Sequence, residues 1–484
     1  MENMFAQLLS EYIHKRDINV YSMAQFCGVD RANMYKYING DRKPPSVDLV
    51  RKIAAFMQLT PVECNSLIES YTIVSVGTKT YYRRKAIANL LTNFENYTLS
   101  EASLAAVSLS RSTPPQSEIT VLNGQTKLHQ HIFDILTLEA AKKNGRICLL
   151  MPPHFPAVVE YLVSLGYHRH ALKIEHIFCL NTSEQSLSHG QPYNVECLRK
   201  ILPLYVCGCA YNSYYYYQDF PLGESLLSLF PYLILTSEYA LIFSESTMKG
   251  ILFHNAATVD LYQDIFRKCL QAVLPLATKI PDVNSQLQYL QKLDLKTKHT
   301  IMFEPVPCMT YFMPDSFLEK YIYKDSGTML AVAEMLHCFF QQAKKDFKNS
   351  KISFIFTEEG VRNFLETGRI EEYPSNIYAP FSIKDRIYLI RKFIKTCEPS
   401  QLYLLQEHSF PSRNGIYIYI TPHNGYLMIP VINQNLEYSQ IFLDLSEPKL
   451  LTDFYDFCSY LKDDCCYEYK DAIGRIENIL LEYQ

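Results

Sequence analysis

Charged and amide side chains are concentrated between positions 31 and 43 of this chain. They belong to Arg31, Asn33, Lys36, Asn39, Arg42 and Lys43. Arginine and lysine bind anionic groups, and the asparagine amide both donates and accepts hydrogen bonds. The chemistry that this set supports is the binding of a polar, anionic partner and not catalytic turnover.

Two short helices joined by a tight turn are predicted to present these side chains. Asn19 is placed to cap a first helix that begins at Val20 and is broken by Gly28. The spacing puts on its buried face Met23, Ala24 and Cys27. Asp30 is placed to cap a second helix, with a buried stripe of Met34, Tyr37 and Ile38. The opposite face of that helix then presents Arg31, Ala32, Asn33, Tyr35 and Lys36.

These residues resemble the lambda-repressor-like helix-turn-helix regulators, also called the Cro/C1 or xenobiotic-response-element family. The resemblance covers roughly residues 3–71. Its most specific parts are Ala24, Gly28-Val29, Asn39-Gly40 and Arg42-Lys43-Pro44. The family often has glutamine where this chain has Val20, so no phosphate contact is implied at that position.

The resemblance implies a DNA-binding surface on the second of these helices and on the segment after it. By position in the family, the residues that read base edges in the major groove are Arg31, Ala32 and Tyr35. Those that hold phosphates are Asn39, Arg42 and Lys43. Asn33 and Lys36, on the same outward face, complete the predicted DNA-binding set.

Apolar periodicity and capping signals around this segment predict the rest of a five-helix bundle. A leading helix carries Phe5, Leu8, Leu9, Tyr12 and Ile13, and a fourth, opened by Ser46, carries Leu49, Val50, Ile53 and Ala54. Thr60, Pro61 and Glu63 form a capping box that starts a fifth helix, which we expect to run to about Tyr71. A helical bundle without a DNA role is the alternative, but packing does not explain Asn39-Gly40 and its basic tail.

The charge distribution favours a localised nucleic-acid contact. The whole chain carries a formal charge of −4, yet residues 14–52 hold eight Lys or Arg against four acids. This combination suits binding to an operator better than general coating of nucleic acid. A second basic run, Lys79 with Arg83-Arg84-Lys85, is interpreted as a solvated linker helix, with contact to backbone phosphates as the alternative.

Length and composition predict a soluble, cytoplasmic protein of about three domains. The chain has 484 residues and lacks both an apolar run long enough to span a membrane and an apolar signal region. Its 14 cysteines include no CxxC pair, and the histidines show no zinc-ligand spacing. We therefore predict no metal, no cofactor and no catalytic residues. A metal site or a redox switch at Cys207 and Cys209 is the less favoured alternative.

Strands and helices alternate after a connector at 72–117, which predicts a large α/β region with a mixed sheet. We expect strands at 119–122, 146–151 and 174–180, helices at 124–143, 157–165 and 259–273, and an apolar run at 232–243. Tyr211 and Tyr214–Tyr217 are interpreted as a strand with alternating buried and exposed rings.

This order resembles one half of a phospholipase-D-like fold. That superfamily acts through His-x-Lys pairs, and none of the 13 histidines here has lysine two positions later. The resemblance implies an inactivated half that serves as an effector domain, as in some sugar-sensing regulators. A similar order recurs near the carboxyl terminus: residues 237–242, 251–253 and 259–270 correspond in outline to 424–429, 441–443 and 450–461. Two related halves, or the general similarity of any strand-strand-helix segments, remain the two interpretations.

The sequence thus predicts a multidomain protein in which an all-α helix-turn-helix bundle precedes a large α/β region. The predicted domains are 1–71, the connector 72–117, an effector-like domain at 118–275 and a carboxyl-terminal domain at 276–484. The predicted function is a transcription regulator that binds double-stranded operator DNA as a homodimer and is not an enzyme, with a carboxyl-terminal region that senses a small-molecule effector or serves oligomerisation. The alternatives are an enzyme or a partner-neutralising antitoxin or defence protein that carries a repressor-like domain.

Overall fold

A computed structural model describes most of the chain, and its contacts divide the chain into two units. The described residues are 3–92, 117–168, 171–182, 192–217, 231–280, 282–292, 299–323, 327–349, 351–370, 373, 377–407, 409–410, 416–432 and 438–484. The first unit consists mainly of residues 1–86 and the second mainly of the chain from residue 87 onward. The domain boundaries that we expected at 71, 117 and 275 stay predictions, and most of the connector lies outside the described residues.

The first unit is helical, as predicted. Its helices are α1 (Met4–Lys15), α2 (Val20–Cys27), α3 (Arg31–Asn39), α4 (Val47–Phe56) and α5 (Pro61–Val76), followed by α6 (Thr78–Thr92). The capping box predicted at Thr60 is present: its backbone N–H donates to Glu63 Oε2 at 2.9 Å, and its hydroxyl accepts from the Glu63 N–H at 3.3 Å. The fifth helix continues past Tyr71 to Val76, because Ile73 adds a further buried position.

One apolar core holds α1 to α5 together. Its fully buried side chains come from every helix and include Phe5, Leu9, Met23, Met34, Val50, Ile53 and Leu67. The buried faces predicted for α2 and α3 are confirmed, except that Ile38 is half-buried at the edge of the core. Burial of an aliphatic or aromatic side chain contributes about 1.5–3 kcal/mol, so this core fixes the relative positions of α2 and α3.

The second unit contains a mixed sheet of 14 strands. The strands are β1 (Ile119–Asn123), β2 (Arg146–Leu150), β3 (Lys173–Leu180), β4 (Ala210–Tyr217), β5 (Tyr232–Leu235), β6 (Ala240–Ser244), β7 (Lys249–Phe253), β8 (Leu274–Ile280), β9 (Thr300–Phe303), β10 (Ile352–Phe356), β11 (Leu402–Leu404), β12 (Tyr417–Ile420), β13 (Gly425–Ile432) and β14 (Tyr438–Leu445). The predicted α/β region is therefore confirmed.

Helices connect these strands and cover the sheet. They are α7 (Gln125–Ala140), α8 (Pro156–His168), α9 (Tyr193–Val206), α10 (Ala256–Ala272), α11 (Val283–Lys292), α12 (Asp315–Tyr321), α13 (Gly327–Asn349), α14 (Glu358–Thr367), α15 (Ile383–Thr396), α16 (Pro448–Asp464) and α17 (Tyr469–Glu482). In the part of the chain that the structure describes, no helix combines the length and apolar character needed to cross a bilayer.

The strand order repeats along the sheet. It runs β1-β7-β6-β5-β2-β3-β4 and then β8-β14-β13-β12-β9-β10-β11. In the first series, β2, β3 and β4 are parallel, and β5, β6 and β7 form an antiparallel meander that is followed by α10. In the second series, β9, β10 and β11 are parallel, and β12, β13 and β14 form an antiparallel meander that is followed by α16. The two segments that the sequence outline paired, 237–270 and 424–461, occupy matching places in this order.

The two series join through backbone hydrogen bonds between β4 and β8. These strands are antiparallel, with Ser213 opposite Ala277 and a register shift after Ser213. Tyr205 reinforces this junction, since its hydroxyl donates to the Ala277 carbonyl at 2.9 Å and lies 2.7 Å from Ser213 Oγ. The sheet is therefore continuous across the point where the second series begins.

Candidate nucleic-acid interface

The turn between α2 and α3 is fixed by backbone geometry. Asn19 Oδ1 accepts a hydrogen bond from the Ser22 N–H at 3.0 Å, so the predicted cap of α2 is present. Gly28 ends α2 with φ at +68°, a left-handed conformation that glycine adopts at little cost. The Val29 N–H donates to the Ala24 carbonyl at 3.0 Å and turns the chain toward α3. The small buried Ala24 side chain lies at this point, as the sequence predicted.

Helix α3 is a short rod with both ends capped. Asp30 Oδ1 accepts from the Asn33 N–H at 2.8 Å, and this hydrogen bond is the main reason that the pKa of Asp30 lies below its ordinary value. At the other end, Gly40 has φ at +80°. An α-helix with its side chains is about 10–12 Å across, which matches the ~12 Å width of the major groove of B-form DNA, and the nine residues of α3 span about 13 Å.

The outward face of α3 presents the side chains assigned to base contact. Arg31, Ala32, Tyr35 and Lys36 are exposed, and the Tyr35 side chain is 40% exposed despite its size. The Arg31 guanidinium lies 5.5 Å from the centre of the Tyr35 ring, one helical turn away. This cation–π contact holds the two side chains beside each other on the surface. Their role in DNA contact stays a prediction.

Asn33 differs from the other members of the predicted set. It is half-buried, and its amide donates to Asp30 Oδ2 while its carbonyl oxygen accepts from Arg42 Nη1 at 3.2 Å. The Arg42 N–H also donates to the Lys36 carbonyl at 3.1 Å. These bonds tie the segment after α3 back onto the helix, so Asn33 is placed to orient Arg42 and is less available to a base.

The other predicted phosphate contacts, Asn39 and Lys43, are exposed on either side of a fixed backbone segment. Two residues that sequence reasoning missed hold that segment. Asn3 Nδ2 donates to the Gly40 carbonyl at 3.2 Å, and the Tyr71 hydroxyl donates to the Pro44 carbonyl at 3.1 Å. Asn3 is recognisable in the sequence as a cap before α1, but its second partner, 37 residues away, has no local signal.

The second basic run lies on α6, where part of its charge is matched by an acid. Lys85 Nζ lies 2.6 Å from Glu69 Oε1, and the Tyr81 hydroxyl donates to the same oxygen at 2.7 Å. Both partners lower the pKa of Glu69, with the Lys85 hydrogen bond the larger cause. These contacts fasten the start of α6 to α5. Lys79 and Lys85 are exposed but Arg83 and Arg84 are half-buried, so the run is only partly solvated, and its role as a linker stays a prediction.

The remaining candidates from the sequence are a metal site, the pair Cys207 and Cys209, and the four-tyrosine segment. Among the described residues, no group of three or more His, Cys, Asp or Glu side chains is placed to hold a metal ion. The described cysteines form no disulfide, and the sulfur atoms of Cys207 and Cys209 lie 3.5 Å apart in the interior. The four-tyrosine segment lies in β4, so the predicted strand is confirmed, but none of its rings is exposed: Tyr211 and Tyr215 are buried, and Tyr214, Tyr216 and Tyr217 are half-buried.

Comparison with known proteins gives matches by structure alone. No protein-family model and no curated protein sequence matches the chain. The polyphosphate kinase from Porphyromonas gingivalis matches with a TM-score of 0.25 and 10% identity over 80% of this chain, which spans 59% of the kinase. TrmBL2, an archaeal chromatin protein with a novel mode of DNA binding, matches with a TM-score of 0.23 and 10% identity over 56% of this chain and 99% of TrmBL2. At TM-scores this low, neither match assigns an activity to the chain.

The comparisons change two expectations. The prediction that the chain is not an enzyme is contradicted, because an enzyme, the polyphosphate kinase, is among the similar structures. We therefore withdraw that exclusion. The resemblance to Cro/C1 regulators has no support from a family model, while a DNA-binding protein is among the similar structures.

Proposed function

We propose that this protein is a transcription regulator that binds specific sites in double-stranded DNA through α3. The observation that supports this most is the row of exposed side chains Arg31, Ala32 and Tyr35 on one face of a short capped helix. Helix α3 is held by caps at both ends and by the buried residues Met34 and Tyr37, so its outward face is preorganised for a partner.

Each exposed side chain has a plausible chemical partner on DNA. Arg31 suits the O6 and N7 acceptors of guanine, which arginine contacts in a bidentate manner. The Ala32 methyl group suits the methyl group of thymine and lets the helix approach the base edges closely. Arg42 and Lys43 suit the phosphates at the side of the groove, where contacts set position and not sequence preference. Together these roles give a base-reading helix with phosphate anchors beyond its carboxyl end.

We also propose that the protein acts in the cytoplasm as a homodimer and that the second unit binds an effector or assembles the dimer. One helix of this length presents few base contacts, and helix-turn-helix proteins usually read paired half-sites about one helical turn, or 34–36 Å, apart. Light scattering of the protein on a selected site tests the dimer. Two chains on one palindromic site are expected, and a monomer both free and bound contradicts the proposal.

Selection of bound duplexes from a random pool tests the DNA proposal directly. The full chain should enrich one short motif, and Arg31→Ala with Tyr35→Ala should abolish that enrichment while the protein stays folded. Arg51→Ala is the matched control, because Arg51 is an exposed arginine on α4 that pairs with Asp48 at 3.1 Å and lies outside the predicted set. The proposal is overturned if the wild-type chain enriches no motif, or if the double variant enriches the same motif as the wild type.

A further inference from the structure

A large basic cleft opens in the second unit, in the second series of strands. Its volume is about 920 Å³, at the upper end of the range typical of small-molecule sites. It lies between the carboxyl-terminal turns of α13 and α15, the segment before α12 and the residues that lead into β11. Lys351 directly precedes β10, so the cleft is at the amino ends of these parallel strands.

The charge of the cleft is strongly unbalanced. Its described lining includes five lysines, Lys344, Lys345, Lys348, Lys351 and Lys392, against two acids, Asp315 and Glu398. Asp315 pairs with Lys344 and so matches one of the five. For Lys348, Lys351 and Lys392 the described residues offer no ion-pair partner. Like charges held in one concavity repel each other, and a bound anion would relieve that repulsion.

Helix ends alone do not account for this cluster. The negative end of the α13 dipole explains a lysine in the last turn, such as Lys348. It does not explain Lys351, which lies beyond the helix, or Lys392, which comes from α15 and is half-buried. Lysines from three separate places in the chain therefore converge on one opening.

The lining of the cleft also contains aromatic side chains. Tyr311 and Phe347 line the cleft with ring centres 5.4 Å apart, and Phe312 packs behind them at 5.3 Å from Phe347. Gln341, Ser400 and Gln401 add hydrogen-bonding groups at the rim. Ammonium groups bind phosphates as point charges, and aromatic faces accept a planar ring.

We propose that this cleft binds a small ligand that carries a chain of phosphate groups, such as a nucleoside triphosphate or inorganic triphosphate. A chain of linked phosphates offers Lys348, Lys351 and Lys392 more negative charge and more acceptor oxygens than a single orthophosphate does. The site is independent of the DNA proposal, because its residues belong to the second unit and its occupancy is measured without DNA.

Calorimetric titration of the full chain in EDTA, with ATP, inorganic triphosphate and orthophosphate as separate titrants, tests the proposal. Triphosphate and ATP should bind at least tenfold more tightly than orthophosphate, and tighter binding of ATP than of triphosphate would show that the aromatic side chains of the cleft contribute. Lys348→Gln and Lys351→Gln should each weaken triphosphate binding about tenfold, because each substitution removes one ammonium group that contacts the phosphates.

Lys395→Gln is the matched control, because Lys395 is an exposed lysine on α15 that does not line the cleft. It removes the same charge and should leave binding unchanged. The proposal is overturned if neither ATP nor inorganic triphosphate binds, if orthophosphate binds as tightly as they do, or if Lys395→Gln weakens triphosphate binding as much as the cleft variants do. It is also overturned if Lys348→Gln weakens binding of a DNA duplex but not of triphosphate.

Discussion

Arg42 Nη1 lies 3.2 Å from the side-chain oxygen of Asn33, so a residue on α3 holds a side chain of the segment that follows it. Asn33 is itself held by Asp30 at the start of the helix. The cap of α3 and the first basic side chain beyond α3 are thus linked through one amide. The proposed phosphate contact of Arg42 therefore depends on Asn33, which the sequence had placed in the DNA-binding set only by its outward position on α3.

Removing this link should weaken DNA binding for all sequences alike. We expect Asn33→Ala to lower affinity about two- to tenfold, because Arg42 loses a hydrogen bond that limits its conformations. Gel-shift titrations at fixed salt on a selected site and on an unrelated site measure the effect. A double-mutant cycle supplies the control: in an Arg42→Ala background the Asn33 substitution should add nothing, and an undiminished effect there would show that Asn33 acts in another way.

Arg31 and Lys43 should differ in the kind of loss that they cause. Arg31→Ala should lower affinity for the selected site by about 1–3 kcal/mol and relax preference at one base pair. Lys43→Ala should weaken all sequences equally and reduce the salt dependence of binding, since a phosphate contact releases a counterion. Titrations over a set of single-base variants at two salt concentrations separate the two patterns. If Arg31→Ala binds the selected site with the affinity of the wild type, the assignment of Arg31 to base contact is wrong.

The two glycines that end α2 and α3 make a matched pair for a stability test. Both have positive φ, so alanine at either position costs about 1 kcal/mol in backbone strain. A Cβ at Gly28 meets nothing within 4 Å, whereas at Gly40 it would lie 3.0 Å from Asn3 Nδ2 and 3.2 Å from Ala6 Cβ. Gly40→Ala should therefore destabilise the bundle more than Gly28→Ala. Hydrogen exchange of α1 and α3 amides in the full chain measures this, and equal protection in the two variants would contradict it.

His176 in β3 is a buried neutral base with two fixed partners. The Met151 carbonyl, 2.9 Å from Nε2, can only accept, so Nε2 carries the proton and Nδ1 accepts from the Tyr211 hydroxyl at 2.9 Å. Complete burial lowers the pKa of His176 to about 4. The ordinary pKa of histidine is near 6.5. At pH values between about 6.5 and about 4, His176 is therefore protonated in the unfolded chain but not in the folded chain.

The stability of the second unit should consequently fall as the pH is lowered from about 6.5 toward 4. The contribution of His176 is fully present above the unfolded pKa, and its loss by pH 4 is on the order of 3 kcal/mol. Urea unfolding at pH 7.5, 6 and 5 measures the trend. His176→Phe should be less stable at pH 7.5, because the Tyr211 hydroxyl loses its acceptor, but its stability should change less with pH. An unchanged slope would assign the pH dependence to other groups.

Local signals predicted the first unit well because its structure is encoded over short distances. Caps at Asn19, Asp30, Ser46 and Thr60 all form as the residue types indicated. What the sequence did not reveal were the contacts between distant segments, such as the bond from Asn3 to the Gly40 carbonyl. The half-buried state of Asn33 has the same origin, because it depends on Arg42 folding back onto α3.

The second unit was predicted in outline only, for two physical reasons. Helix α9 was missed because its buried residues run without a polar face from Ile201 to Val206 and include Pro203, which removes both periodicity and helix propensity. The order of strands depends on pairings such as β4 with β8, whose partners lie 59 to 64 residues apart, from Tyr215 with Leu274 to Ser213 with Ala277. The basic cleft is lined by residues from α13, α15 and the segments around them. Like the junction between β4 and β8, it therefore has no signature within one stretch of sequence.

The position of β8 between β4 and β14 has a consequence for how the second unit can be divided. A cut before β8 leaves one fragment with the edge of β4 uncovered and the other with the edge of β8 uncovered. Unpaired strand edges of this kind promote aggregation. The two series should therefore unfold in one cooperative transition, and a fragment containing only one of them should be insoluble unless its complement is co-expressed.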